Sequence, residues 1–440
     1  MKKIVFTSYF LLCGIVLLTS QTPIAVETAK LKSFLTQEST ETGKKNFQQL
    51  GVQNLETIDW KKVDGLVWNA NGRLDSIKWL NKNLGGNLDL NGFAELCYIH
   101  CESNGITSID VKGCVDLAYF WCLRNKLTSI DISTNVNLES FCCRYQDNAA
   151  LKKIDLSNNP KLWYFCGSGN SFEHMDISNN PELSTFSCRL NKLQHIDVSN
   201  NTKLTRLFLQ GNQLEELSVL NHPDLYHVEC FGNQLKTLDV SGCPNLTILQ
   251  ANNNLLKEIK IDVLDMDELS CMGNYMTFST LPKPKSCTKF EYAPQKDINL
   301  SVASNTVNLS SEYKIGNTIS TFSWTNAPTE SKEGVFTFQN TLKNTTCSVK
   351  NATFPDLTLK YNITLNSTQS VDAPQDIEIF TINNLLYLKT NQPLSATIYT
   401  VTGMLVNQLS IIEGETVIPM SSGIFIVKLS NGLIRKVMIR

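Results

Sequence analysis

An asparagine returns through the middle of this chain at a nearly fixed interval. It stands at Asn104, Asn125, Asn148, Asn170, Asn191, Asn212, Asn233, Asn254 and Asn274, in steps of 20 to 23 residues with 21 the commonest. The same frame, L-x-x-L-x-[C/L]-x-x-N-x-L-x-x-[I/L]-D, surrounds these positions. It reads LAYFWCLRNKLTSID over Leu117 to Asp131 and LYHVECFGNQLKTLD over Leu225 to Asp239. A unit this short cannot bury an apolar face alone, so the units must stack on one another.

The frame has a physical reading. Leu117, Phe120 and Cys122 form a short strand whose apolar side chains point inward, with the residues between them pointing out. Asn125 ends the strand, and its amide is able to bond backbone groups of a neighbouring turn, so repetition predicts a ladder of asparagines. Leu127, Ile130 and Ile132 fill the core on the way back. The return leg then closes in D-x-S-x-N turns such as Asp131, Ser133, Asn135 and Asp197, Ser199, Asn201, residue types that bond their own backbone.

Residues 88–281, about nine units, resemble the leucine-rich repeats of bacterial surface proteins, in a short variant of about 21 residues with Cys in the third apolar slot. The resemblance implies a solenoid with a parallel sheet on its concave face. Such faces bind, but the fold does not name the ligand.

Lys2 and Lys3 precede an apolar run from Ile4 to Leu18, which reads as a secretory signal peptide within residues 1–25 and is short for a membrane span. Leu12 before Cys13 argues against lipidation. No later segment is apolar enough to span a membrane. A net charge of −2 gives no basic field, so nucleic acid is not an expected partner.

Export would make the 14 cysteines disulfide candidates. Periodicity argues otherwise, because Cys101, Cys122, Cys143, Cys188, Cys230 and Cys271 share one repeat position, filled by Leu209 and Ala251 elsewhere. Cys there is expected as a buried free thiol, which suits an anaerobic setting. Cys142 and Cys166 fall instead on outward positions of adjacent strands, where a disulfide and two semi-exposed thiols are both open readings. Cys287 and Cys347 are a further possible pair.

A solenoid needs capped ends. Residues 30–87 read as an N-terminal cap, with one or two short helices in Leu31 to Leu50 and Trp60, Trp68 and Trp79 as core anchors. They resemble the caps of secreted leucine-rich-repeat proteins. After Pro282 and Pro284, residues 285–370 change to short alternating runs (INLSV, TFSWT, VFTFQ, LTLKYNITL) of a length that suits an immunoglobulin-like β domain. Asp372 to Asp376 reads as a linker.

Residues 374–440 resemble the C-terminal sorting domain of type IX secretion cargo of Bacteroidota. Thr402, Gly403 and Val406 match the family's first element, Gly423 to Val427 its second, and Lys436 with Val437 its third. The family's Pro-Asn-Pro opening is replaced by Asp376-Ile377-Glu378-Ile379-Phe380. The resemblance implies passage through the type IX machinery, then release or attachment at the outer-membrane surface.

No catalytic, metal or cofactor constellation is found. His174 and His195 share a repeat position on a solvated flank, and the Asp row (Asp110, Asp131, Asp155, Asp176, Asp197, Asp239) reads as turn capping. The expected concave face carries Tyr98, His100, Tyr119, Trp121, Arg124, Arg144, Trp163, Tyr164, Arg189, Arg206, Phe208, Tyr226 and Phe231. Tyr, Trp and Arg are the types that carry binding energy, and a row of exposed aromatics is a liability unless it meets a ligand. The expected function is a non-enzymatic, adhesin-like protein, secreted or on the cell surface, that binds a host or microbial protein. A carbohydrate-binding surface protein is the alternative.

Overall fold

The computed structural model describes residues 24–147, 151–262, 264–339, 342, 344–365, 378–382, 384–390, 393–401, 403–430 and 434–439. The expected signal peptide, apart from its last residues, lies outside these, as do Asn148, the Asp372 to Asp376 linker and Thr402.

The chain winds as a β-solenoid. Each turn gives only a short strand to a twelve-stranded sheet, and the strands add in chain order from Leu66–Trp68 to Ser286–Glu291. The first pair, Leu66–Trp68 with Leu74–Lys78, is antiparallel; every later pairing is parallel. The parallel ladder thus begins at Leu74–Lys78 and continues through Ser286–Glu291. It reaches beyond residues 88–281 at both ends, because these flanking strands pair like the others while lacking the asparagine that marked the repeat.

Phe120, Phe141, Phe165 and Phe186, one per turn and fully buried, run as a spine with centroids 5.4, 5.9 and 5.5 Å apart. Such pairs add about 0.5–1.5 kcal/mol each beyond their burial. The cysteine column lies beside them. Cys101, Cys122, Cys143, Cys188, Cys230 and Cys271 are free and fully buried. Gly167 takes the same position in one turn, where a Cβ would stand 2.7 Å from the Phe165 ring and 2.8 Å from Phe172.

Three residues past that column sits the ladder. Asn212 is typical: its amide donates to Cys188 O (2.9 Å) and Leu209 O (2.8 Å), and its oxygen accepts from Leu193 N (3.0 Å). In the third turn this place belongs to Gln146, not Asn148. Gln146 accepts from Leu127 N and donates to Cys122 O and Cys143 O. It keeps the three-residue offset from Cys143, and the extra residues of this turn follow it. Gln295 adds a final rung, accepting from Asn274 N and Met276 N.

A second ladder runs through the return legs. Asn135, Asn159, Asn180 and Asn201 are fully buried, and each amide donates to two carbonyls of neighbouring turns. His222 stands in the next turn, with ring nitrogens 3.0 Å from Val219 O and 3.1 Å from Val198 O. Cys114 and Cys243 end the row with thiols donating to carbonyls. The preceding Asp caps its own turn: Asp131, Asp155, Asp176 and Asp197 accept from the backbone N–H two residues on.

The N-terminal end is closed by helix Ala25–Leu35, which buries Leu31, Phe34 and Leu35. Trp79 is fully buried, stacks on Phe34 at 5.5 Å and donates to Asp64 O. Trp60 and Trp68 are only half-buried, with the Trp68 indole donating to Trp60 O. Glu27, nearly buried, accepts from Arg73 Nε at 2.6 Å and from Leu74 N at 2.8 Å.

At the other end, Phe278 stacks on Phe354 at 6.1 Å and Ser279 donates to Glu312, joining the solenoid to the strands that follow. Those strands make a four-stranded sheet (Ile298–Val302, Thr358–Leu365, Thr345–Lys350, Thr321–Trp324) and a three-stranded one (Thr306–Asn308, Val335–Thr337, Glu330–Lys332). Trp324 of the first touches Phe336 of the second at 4.8 Å. Cys347 lies in this part and Cys287 in the last solenoid strand, both as free thiols.

The C-terminal segment from Leu365 belongs to a separate compact unit. It has a three-stranded antiparallel sheet (Glu378–Ile382, Leu385–Thr390, Gly414–Pro419) and a four-stranded one (Leu405–Ile411, Leu394–Thr400, Gly423–Leu429, Ile434–Ile439). Leu386, Leu388, Ala396, Ile398, Phe425 and Val427 form its core. Among the described residues, no helix is long and apolar enough to cross a membrane.

Candidate binding face

Strand alternation fixes which side chains leave the core. In each three-residue strand the middle residue is buried and its two neighbours stand on the open face of the sheet. Tyr98, Tyr119, Tyr164 and Arg206 take the first outward place, and His100, Trp121 and Phe208 the second. Arg144, Arg189 and Phe231 follow two residues after the strand's last outward residue, half-buried. Trp163 and Tyr226 come immediately before their strands.

Arg124 departs from this set. It occupies the turn after the strand at φ +53°, a place taken in other turns by Gly169, Gly211 and Gly232. There it is exposed and lines a groove at the ladder edge with Tyr145, Asp147 and Thr40.

The remaining side chains fall into two groups. In the early turns the His100 ring meets Trp121 edge-on at 5.0 Å, and Tyr98 lies 6.1 Å from Tyr119. Trp121 Nε1 donates to Ser140 Oγ at 2.9 Å, and Glu102 lies 3.1 Å from His100 Nε2. In the later turns the Arg189 guanidinium covers Phe208 at 4.2 Å, Arg206 lies over Tyr226 at 5.8 Å, and Phe208 meets His227 at 4.9 Å. Glu229 anchors this group. It accepts from Gln210 at 2.7 Å and lies 3.5 Å from Arg189 and 3.0 Å from His227, though the His227 N–H is not aimed for a hydrogen bond. Burial pushes the Glu229 carboxyl up, but His227, Arg189 and the Gln210 hydrogen bond together outweigh it and hold the group below its ordinary range.

Between the groups the face is floored by small side chains: Ser140, Cys142, Cys166, Thr185 and Ser187, all buried. The outward positions of Cys142, Cys166 and Glu229 were legible in the sequence, whereas Ser140, Thr185, Ser187 and His227 were passed over. The same alternation would have found them. The Nε donors of Arg144, Arg189 and Arg206 are buried and have no hydrogen-bond partner among the described residues.

His174 and His195 are both exposed on the return legs. His195 lines a groove with Asp197, Glu216, Asp239 and Lys260, away from the sheet face. Among the described residues no group of three or more His, Cys, Asp or Glu is placed to hold a metal ion.

No known protein family matches this chain, and no curated protein does. Among solved structures it is similar to the functional domain of InlJ from Listeria monocytogenes, described as including a cysteine ladder (18% identity, 62% of this chain, 77% of that one, TM-score 0.40). It is also similar to the leucine-rich-repeat ectodomain of the receptor kinase GASSHO1/SCHENGEN3 from Arabidopsis thaliana (14% identity, 62% of this chain, 36% of that one, TM-score 0.42). A third likeness is to InlP of Listeria monocytogenes (14% identity, 73% of this chain, 94% of that one, TM-score 0.30).

Proposed function

We propose that this chain is a non-enzymatic, adhesin-like binding protein that holds a protein partner along the open face of its solenoid sheet. The observation that carries the reading is the later cluster. Arg189 covers Phe208 and Arg206 lies over Tyr226, and both arginines are only part-buried on the open face. Preformed aromatic and arginine clusters are where binding energy concentrates, and carboxylates of a partner would answer the part-exposed guanidinium groups. The small-residue floor between the two groups suits a single protruding side chain.

The test is a pull-down from host and microbial extracellular proteins, run beside a glycan array. A protein partner that is lost with Arg206→Ala supports the reading; retention by that variant together with Trp163→Ala counts against it. Carbohydrate binding is the second reading, favoured by Trp163, 42% exposed with Tyr164 5.8 Å away, since such a ring suits a sugar face.

For residues 285–370 the proposal is an immunoglobulin-like module that extends the solenoid. For residues 374–440 it is a type IX sorting domain, supported by the run Gly423 to Val427 in a central strand and Lys436 with Val437 in its neighbour. Secretion or outer-membrane attachment follows from that reading. Deleting residues 366–440 and fractionating a type IX-competent host tests it, because normal export of the truncated chain would remove its basis.

A further inference from the structure

The floor of the open face holds a pair of thiols unlike the others. Cys142 and Cys166 are direct register partners on neighbouring parallel strands, Ser140–Cys142 and Tyr164–Cys166. Their side chains touch, with Leu123, Trp121 and Tyr164 packed around them. Both are free, and each keeps 5% of its surface in solvent, where the core column keeps none. Neighbouring strands stand about 4.8 Å apart, inside the Cα separation of about 4.4–6.8 Å that a disulfide spans.

We propose that Cys142 and Cys166 form a dithiol site that reacts with small disulfides and closes to a reversible cross-strand disulfide. The site does not depend on what the rest of the face binds. Cys166 is the attacking group. The Cys142 thiol donates to its sulfur, and this outweighs burial; the Ser168 N–H and hydroxyl and the Arg144 charge assist, holding the Cys166 thiol below its ordinary range. Cys142 is displaced the other way, since it is the donor in that bond. The core thiols are pushed up by burial alone or chiefly, Cys101 and Cys230 to about 12, so they stay protonated. Nucleophilicity belongs to the thiolate.

The exchange balances as follows. The Cys166 thiolate attacks one sulfur of R–S–S–R, a Cys166–S–SR bond forms, and RS⁻ leaves. Cys142 loses its proton to solvent or to the leaving thiolate, then attacks the Cys166 sulfur. The Cys142–Cys166 bond forms and a second RS⁻ leaves, so the protein dithiol is oxidised and the small disulfide is reduced to two thiols. The co-reactant must be small, since Trp121 and Tyr164 flank the pair, and Arg144 favours one bearing carboxylates.

Oxidised glutathione is the probe. The full chain is incubated with it near pH 7, quenched in acid, alkylated and mapped by mass spectrometry. The expected products are a Cys142–Cys166 link, loss of about two thiols per chain and full reversal by dithiothreitol. Cys142→Ser, whose hydroxyl can still donate, should accumulate glutathione on Cys166, whereas Cys166→Ser should slow reaction at this site by at least about tenfold. The wild-type rate should level off at a lower pH than that of an ordinary thiol. Failure of the native chain to react before unfolding, glutathione first on Cys122 or Cys143, or no mixed disulfide in a folded Cys142→Ser chain would each overturn the proposal.

Discussion

Trp121 donates its indole N–H to the hydroxyl of Ser140, 2.9 Å away on the next strand. The bond fixes the ring across two turns before any partner arrives. It also gives the ring a share in stability, which an outward position alone would not suggest.

Trp121 and Trp163 should therefore part company. Trp163→Ala, at a 42% exposed site, should cost about 2 kcal/mol or more in partner binding if it is a hot spot, with melting unchanged. Trp121→Ala should lower both affinity and melting temperature, because it also strips cover from Cys142 and Cys166. Titration calorimetry with the captured partner and thermal unfolding of both variants decide this. His174→Ala and His195→Ala should alter neither property.

The ladder predicts a uniform cost. Asn212→Ala orphans Leu193 N and strips one of two amide donors from the carbonyls of Cys188 and Leu209, which keep Asn191 and Asn233, a loss of about 1–3 kcal/mol. Gln146→Ala should cost the same, since it serves Leu127 N, Cys122 O and Cys143 O. Chemical denaturation reads both. A change of a few tenths would count against a ladder in which every rung matters.

Thiol labelling should sort the cysteines by burial. Cys122, Cys188 and Cys230 are fully buried, and desolvation raises all three thiols. A maleimide should miss them in the native chain and label them in denaturant. Their recovery in disulfides would contradict the packing.

Acid should loosen the return legs. Hydrogen bonds from Ser133, Ser157 and Ser178 hold the carboxyls of Asp131, Asp155 and Asp176 below their usual 3.8. A folded value below the unfolded one stabilises the fold above pH 3.8, and the gain is lost as pH falls through the folded values. The denaturant midpoint should be flat down to about pH 5 and fall below pH 4. Asp155→Asn and Asp176→Asn together should flatten that fall, and an unchanged slope would remove these turns from the acid response.

The strand positions and cysteine column were legible because both follow period and alternation. Gln146 was not, since Gln breaks the run of Asn at the rung, and the residues inserted after it put Asn148 at a plausible spacing. The offset of three residues from Cys143 would have found it. The second ladder recurs at the same interval, but Asn135 and Asn201 also look like ordinary turn residues. Only burial separates the two roles. The first and last parallel strands escaped because they lack the marker residue, and pairing by backbone does not require it.

Stacks of near-identical turns face an addressing problem while they fold, since any turn can dock against the wrong neighbour. The longer turn after Gln146 answers it at one point. Its extra residues break the common 21-residue spacing, so a chain slipped by one turn across it would leave them without a place. It works as a keyed notch, from which the turns on either side can count their place.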